Sequence, residues 1–358
     1  MHLESEVIYM FELYEKKETK SSANNKNLHK AKNAKNDEFY TQLTDIEKEL
    51  MHYKEHFKDK IVYCNCDDPE WSNFWKYFHL NFAHLGLKKL IATFYHIGVS
   101  VYKMEYTGGD DNNISAGVKI PLIGNGDFRS DECIETLKES DIVVTNPPFS
   151  LFREYVATLI EHNKSFLIIG NLHAITYKDF FPFLQNNLVW TGNNNVKEFV
   201  QPDGSIKKFG NIGWYTNLDI KKRHEKLILW KTYDSVSYPK YDNYDAIEVA
   251  KVADIPVDYD GVMGVPISFI DKYCPEQFDI IGIPTASSNE GSLNLGIDYS
   301  KHIGYKQDGT KTGRTGSTFG ACPVFERNDG KSIYYTDGVQ TVQAGSCERL
   351  FIRRKGGK

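Results

Sequence analysis

The chain has little of what marks a secreted, metal-binding or membrane protein. Only six cysteines occur among 358 residues, at 64, 66, 133, 274, 322 and 347. None forms a Cys-x-x-Cys pair and no signal peptide is visible, so neither a disulfide framework nor a zinc site of the usual spacing is expected. They read as free thiols, with Cys64 and Cys66 on one face of a strand as core residues. No apolar window is long enough to cross a bilayer, and a soluble, cytoplasmic protein without membrane contact is expected. An excess of positive charge is missing too: 43 Lys and Arg stand against 48 Asp and Glu, a net of −5. Any polyanion must therefore meet local basic clusters, which lie at Lys16 to Lys35, Lys197 to Lys231 and Arg353-Arg354-Lys355. The apolar share of 41% suffices for one large α/β domain with a smaller one appended.

The chain is organised around Asp141-Ile142-Val143-Val144-Thr145-Asn146-Pro147-Pro148-Phe149. Ile and Val favour a doubly covered strand, and proline ends it by removing an N–H and forcing the preceding residue out of helical geometry. Asn146 is thus expected at the carboxyl end of a strand, the edge where open parallel sheets bind ligands. The Asn146 side-chain carbonyl and the Pro147 carbonyl can both accept from one planar amino group, and Pro147 offers no competing donor. Phe149 adds a flat face for a heterocycle. Asn146, Pro147, Pro148 and Phe149 are the candidate catalytic residues, and methyl transfer to an adenine N6 is the chemistry they suit.

Other strand ends follow the same plan. Ile61-Val62-Tyr63-Cys64-Asn65-Cys66 reads as the first strand, turning at Asp67-Asp68-Pro69 into a helix from Trp71 to His84. A second strand runs over Lys89 to Tyr95, followed by an antiparallel excursion from Val99 to Tyr106 that returns through Val118 to Leu122. Gly126-Asp127-Phe128 leads into a helix around Cys133 and Leu137. Thr44-Asp45-Ile46-Glu47 has the order of a capping box and predicts a helix to about His56, and Ser150 is expected to cap the helix after the Asn-Pro-Pro-Phe loop. A strand at residues 165–170, a helix from Lys178 to Gln185 and a strand at Leu188 to Thr191 complete a Rossmann-like sheet. Residues 1–20 have the spacing of a short amphipathic helix, with a linker after it. Gly261 to Ile267 reads as a buried strand returning to the core.

Asn146-Pro147-Pro148-Phe149 resembles motif IV of the amino-group methyltransferases. Together with Asn36-Asp37-Glu38-Phe39-Tyr40-Thr41-Gln42, Val62-Tyr63-Cys64-Asn65-Cys66-Asp67-Asp68-Pro69 and Gly126-Asp127-Phe128-Arg129-Ser130, it resembles the EcoRI-type adenine-specific DNA methyltransferases from about residue 28 to 278. That resemblance implies an α/β, Rossmann-like, S-adenosylmethionine-dependent core at 28–220, a flexible extension at 1–27, and a C-terminal target-recognition region at 221–358, of which about 261–281 returns to the core. It implies S-adenosylmethionine as methyl donor with no metal, and double-stranded DNA as partner. It also implies a monomer in a restriction-modification setting with a companion endonuclease, and for the nearest relatives the site GAATTC.

The resemblance assigns the donor to Phe39, Tyr40 and Thr41 (motif X), to Asn65, Cys66, Asp67 and Asp68, and to Asp127 (motif III), although the two acids after the first strand and Asp127 could instead shape their turns. The first loop lacks the paired glycines common in methyltransferases, and Tyr95-His96 stand where many carry an acid. Gly213-Trp214-Tyr215-Thr216 resembles motif VIII, whose aromatic packs on an extruded base. Trp214 is the first choice and Tyr215 the second; in a strand they face opposite ways, so one of them belongs to the core. Lys221, Lys222 and Arg223 are candidate phosphate contacts. Two other readings remain: a protein glutamine methyltransferase, which labelled methyl in peptide instead of DNA would reveal, and a retired DNA-binding module, which would bind no methyl donor.

Overall fold

Apolar runs that alternate with amphipathic segments in the first two-thirds of the chain fold into one mixed sheet with helices on its connections. This computed structural model describes residues 40–97, 100–200, 205–241, 244–284, 292–293, 301–315, 333–339, 341–344 and 349–356. The helix and linker expected in the N-terminal extension, and Phe39, lie outside them. The chain divides into two compact units, one of Met1–Ala174 with Thr191–Leu218, the other of Ile175–Trp190 with Asp219–Lys358.

The first unit carries β1 (Tyr40–Thr41), α1 (Leu43–Leu50), β2 (Ile61–Cys64), α2 (Asn73–Leu80), β3 (Lys89–Ala92), β4 (Tyr102–Tyr106), β5 (Val118–Pro121), α3 (Asp131–Glu139), β6 (Ile142–Thr145), α4 (Phe152–Glu161), β7 (Ser165–Asn171), β8 (Trp190–Val200) and β9 (Ile206–Thr216). The sheet order is β1-β8-β9-β7-β6-β2-β3-β4-β5. Its centre is parallel: β6 lies between β2 and β7, and β2 also pairs with β3. That doubly flanked position explains why all four residues of β6 are buried. The remaining strands pair antiparallel where β4 meets β3 and β5, where β9 meets β7, and where β1 meets β8. The expected Rossmann-like core and its antiparallel excursion are both present.

Several local expectations need correction. Cys66 lies past the end of β2, in the loop, instead of sharing a strand face with Cys64. The helix from Thr44 stops at Leu50, with a separate turn at Lys54–Phe57, and Gln42 takes the N-cap position without a side-chain bond. Just before the break, Glu49 is fully buried. Its carboxylate accepts from the Tyr53 hydroxyl at 2.8 Å and from the Asn193 and Asn194 N–H groups of β8 at 2.7 and 2.8 Å. A buried carboxylate needs such donors, and here it ties α1 to an outer strand. Ser150 does not cap α4; a 3-10 turn over Phe149–Leu151 precedes that helix instead. The helix expected from Lys178 is shortened to Phe181–Gln185, with proline in its first turn.

Among the described residues the second unit holds two sheets. The larger is ordered β10-β11-β18-β12-β13, where β10 is Ala246–Glu248, β11 Val262–Pro266, β12 Phe278–Pro284, β13 Ser292–Leu293 and β18 Arg349–Arg354. The buried strand expected at Gly261 to Ile267 is therefore β11, and it pairs here instead of joining the nine-stranded sheet. Buried Arg349 donates to both Glu248 carboxylate oxygens, at 3.1 and 3.0 Å from Nε, and the Tyr241 hydroxyl donates to Glu248. Removing one partner of such a buried pair typically costs about 3–5 kcal/mol. The smaller is ordered β15-β14-β16-β17, where β14 is Ile303–Tyr305, β15 Lys311–Thr315, β16 Ile333–Thr336 and β17 Thr341–Ala344.

Candidate active site

The Asn-Pro-Pro-Phe loop leaves β6 at the carboxyl edge of the parallel centre. Asn146, Pro148 and Phe149 are partly exposed there while Pro147 is buried. Pro148 opens the 3-10 turn, whose Leu151 N–H donates to the Pro148 carbonyl at 3.0 Å. Two consecutive prolines leave this loop few backbone conformations, so its acceptors are positioned before any ligand arrives. Phe149 meets Phe199 and Phe209 edge-on at 6.2 and 6.3 Å, and those two rings lie 5.5 Å apart. Phe199 is buried and Phe209 partly exposed. The Lys207 ammonium lies 5.2 Å from the Phe209 ring centroid.

Beside this loop runs the one after β2. Asn65 is 3% exposed and its side-chain carbonyl accepts from the Tyr155 hydroxyl of α4. Asp67 is 8% exposed. Its carboxylate accepts from the Ser72 hydroxyl at 2.8 Å, from the Thr145 hydroxyl, and from the Asn146 N–H. Ser72 in turn caps α2 by accepting from the Phe74 and Trp75 N–H groups. Burial raises the Asp67 carboxyl to about 6, against the pull of those donors and with Asp68 adding to the rise. Asp68 is partly exposed and burial also raises its carboxyl. The Cys66 thiol is pushed up by burial, then by Asp67, Cys133 and Asp127, while a bond with Thr145 opposes the rise. One thiol thus feels the loops after β2 and β6 and the loop before α3.

Asp127 occupies that third loop. Gly126 before it has φ of 74°, and a Cβ there would fall 2.0 Å from the Phe94 carbonyl oxygen, so only glycine lets this loop lie against the end of β3. The Asp127 carboxylate is gripped by Arg129, with 2.9 and 2.7 Å bonds from Nε and Nη2, and Arg129 also reaches Glu154 at 3.1 Å. On the fourth side, Asn73 at the start of α2 donates to the Thr41 carbonyl at 2.7 Å. The Thr41 hydroxyl is buried with no hydrogen-bond partner among the described residues. That orphaned oxygen and the partly exposed carboxylates of Asp68 and Asp127 suit a cationic ligand rich in N–H and O–H groups. S-adenosylmethionine has that character, so the residues present fit it. Among the described residues no cluster suited to a metal ion occurs.

Two groups of expected site residues take partners within the fold. Trp214 and Tyr215 are 1% and 0% exposed. Trp214 packs edge-on against Phe74 of α2 at 5.9 Å, and Tyr215 against Phe152 of α4 at 5.4 Å while its hydroxyl donates to the Asn171 carbonyl. Both sides of β9 are covered at this point, so each ring is a core residue instead of a plate for a base. In the second unit Lys222 pairs with Asp271 at 2.5 Å, and Arg223 lies 3.6 Å from the Trp190 ring centroid with a bond to Asn187. Both cations are therefore committed within their own unit, and Lys221 is exposed. The residues that sequence reading missed are Phe199 and Phe209; the one signal was Phe209 directly after Lys207-Lys208, already marked as basic.

The family model described as adenine-specific methyltransferase EcoRI matches residues 27–320. The chain is 50% identical over 297 residues to the Type II methyltransferase M.EcoRI of Escherichia coli, covering 73% of this chain and 90% of that one. It is 41% identical over 273 residues to the Type II methyltransferase M.MpnI of Mycoplasma pneumoniae, and 38% identical over 274 residues to M.MgeORF184P of Mycoplasma genitalium. Each of these two alignments spans 70% of this chain and 84% of the relative. No solved structure matches the chain.

Proposed function

The chain belongs to the EcoRI family of adenine-specific methyltransferases, and from that premise we propose which of its residues carry the reaction. It is an adenine-specific DNA methyltransferase of the Type II restriction-modification kind. The Asn146 side-chain carbonyl and the Pro147 carbonyl accept the two N6 protons of a target adenine, which holds the nitrogen lone pair out of the ring plane. Phe149 stacks on the base. Phe209, partly exposed and perpendicular to Phe149, borders the edge of that stack in place of the buried Trp214 and Tyr215. A base inside a duplex hides its edge in the stack, so the target is extruded at a cost of a few kcal/mol, which packing on these rings offsets.

S-adenosylmethionine, the donor that the family implies, supplies a methyl group on an electrophilic sulfonium when bound. Thr41, Cys66, Asp68 and Asp127 are the proposed contacts for it, with Phe39 and Tyr40 covering it as the resemblance implies, while Asn65 and Asp67 shape the loop beneath. Proximity does the rest: two reactants fixed by neighbouring loops of one sheet edge react without a covalent enzyme intermediate. The second unit is proposed to read the target sequence, with the enzyme acting as a monomer on duplex DNA alongside a companion endonuclease.

The observation that carries this reading is the adjacency of the Asn-Pro-Pro-Phe loop to the acidic loop after β2, joined through the Asp67 carboxylate. Incubating the protein with duplex DNA and methyl-labelled S-adenosylmethionine, then digesting to nucleosides, is expected to yield labelled N6-methyl-2′-deoxyadenosine. Label in N4-methylcytosine, or in peptide alone, would contradict it.

A further inference from the structure

Asp67 stands where the resemblance expects a cofactor ligand, yet its carboxylate faces the protein. Its donors come from three directions: the Ser72 hydroxyl at the start of α2, the Thr145 hydroxyl at the last residue of β6, and the N–H of Asn146 itself. Its own N–H donates to the Thr93 carbonyl just past β3, at 3.0 Å. One residue thus ties the ends of three adjacent parallel strands and the cap of a helix. We propose that Asp67 is a positioning residue for methyl transfer: as a carboxylate it accepts from Thr145 and Asn146 and so fixes the backbone from which the catalytic Asn146 and Pro147 carbonyls point. This rests on the function proposed above and adds a device that couples the donor-side loop to the base-side loop.

The chemistry of the group makes the role specific. An ionised carboxylate is acceptor-only and can serve three donors at once, whereas a protonated one must turn one oxygen into a donor and loses part of that set. The Asn146 N–H gives Asp67 a lever on this main chain that Pro147 and Pro148, which follow with no N–H to anchor, do not offer. The titratable groups that act on Asp67 or feel it are Asp68 on the same loop, the Cys64 and Cys66 thiols and the Tyr155 phenol of α4. Burial has raised all of these above their ordinary values, which leaves the two thiols and the phenol uncharged at neutral pH and Asp67 able to change charge near pH 6.

The test uses the full chain with Asp67→Asn, Thr145→Val and Thr145→Ser. Thr145→Val removes the hydroxyl donor at nearly constant shape, and Thr145→Ser keeps it. Expected are a fall in kcat of about 10- to 100-fold for Asp67→Asn and Thr145→Val, unchanged S-adenosylmethionine affinity by calorimetry, and recovery in Thr145→Ser. The wild-type kcat is expected to decline as pH falls through about 6, and this limb should disappear in Asp67→Asn. In the cofactor-free protein the Asn146 amide should exchange with solvent faster in Asp67→Asn. Wild-type kcat in Thr145→Val, or an Asp67→Asn defect confined to donor affinity and cured by saturating donor, would overturn the proposal. A wild-type enzyme that leaves DNA unmethylated would instead defeat the functional reading, and the amide measurement would still decide whether the link exists.

Discussion

At pH 7 Asp67 carries a charge in a place that disfavours charge. Its folded carboxyl titrates at about 6 against an ordinary 3.8, so the fold favours the protonated form. Its contribution to stability is full below the ordinary value and is lost as pH rises through about 6, a change on the order of 3 kcal/mol. Unfolding titrations of wild type and Asp67→Asn from pH 4 to 7 should show the wild type losing stability relative to the variant as pH rises; parallel curves would refute the shift. A carboxylate kept where it costs stability fits a functional role better than a structural one. The rings near the catalytic loop divide in the same way. Phe209→Ala should cost about 1–3 kcal/mol of target-base packing, seen in kcat/KM on duplex DNA, with little loss of Tm. Trp214→Ala should instead cost about 3–5 kcal/mol of fold stability, because its ring fills the space between β9 and α2. Asn146 and Phe149 were legible because their chemistry sits in one unbroken word. Phe209 was not, because Phe149 is distant in the chain and only the sheet brings the two rings together.

At the scale of elements, the sequence showed most where burial is complete on both faces. The central strands β2, β6 and β7 are short β-branched or apolar runs, and they lie where such runs put them. The pair β8 and β9 was harder to see. Each is an 11-residue strand, but their outer halves carry Asn193-Asn194-Asn195, Lys197 and Lys207-Lys208, which read as loop. Five residues of β9, Ile212 to Thr216, pair with β7, so Ile206 and the basic residues after it extend beyond that partner. Lys207 and Lys208 are exposed, the second paired with Glu198 at 3.0 Å. This end of the hairpin presents cations next to Phe209, and phosphate contacts there would hold the duplex while the base leaves it. Replacing Lys207 and Lys208 by Ala should weaken DNA binding and flatten its salt dependence; Lys222→Ala, whose side chain is occupied by Asp271, should change neither. Filter binding or anisotropy over a salt series separates the two.

For the whole molecule, a net charge of −5 fits a DNA enzyme only if cations are sorted between internal pairing and outward display. The run around residue 221 looked like display in the sequence, but Asp219, Asp271 and Glu276 answer Lys222 and His224, and Trp190 covers Arg223. Those partners lie up to 52 residues away, beyond the reach of any local reading. The α/β core, by contrast, follows from the alternation of elements alone. The two carbonyls at the end of β6 are proposed to grip the target amine, and the Asn146→Ala protein tests this most directly. Methyl transfer to duplex DNA and DNA affinity should be measured on the same preparation, each against wild type. The account predicts that transfer is lost while affinity for DNA is largely kept; transfer at the wild-type rate would contradict it.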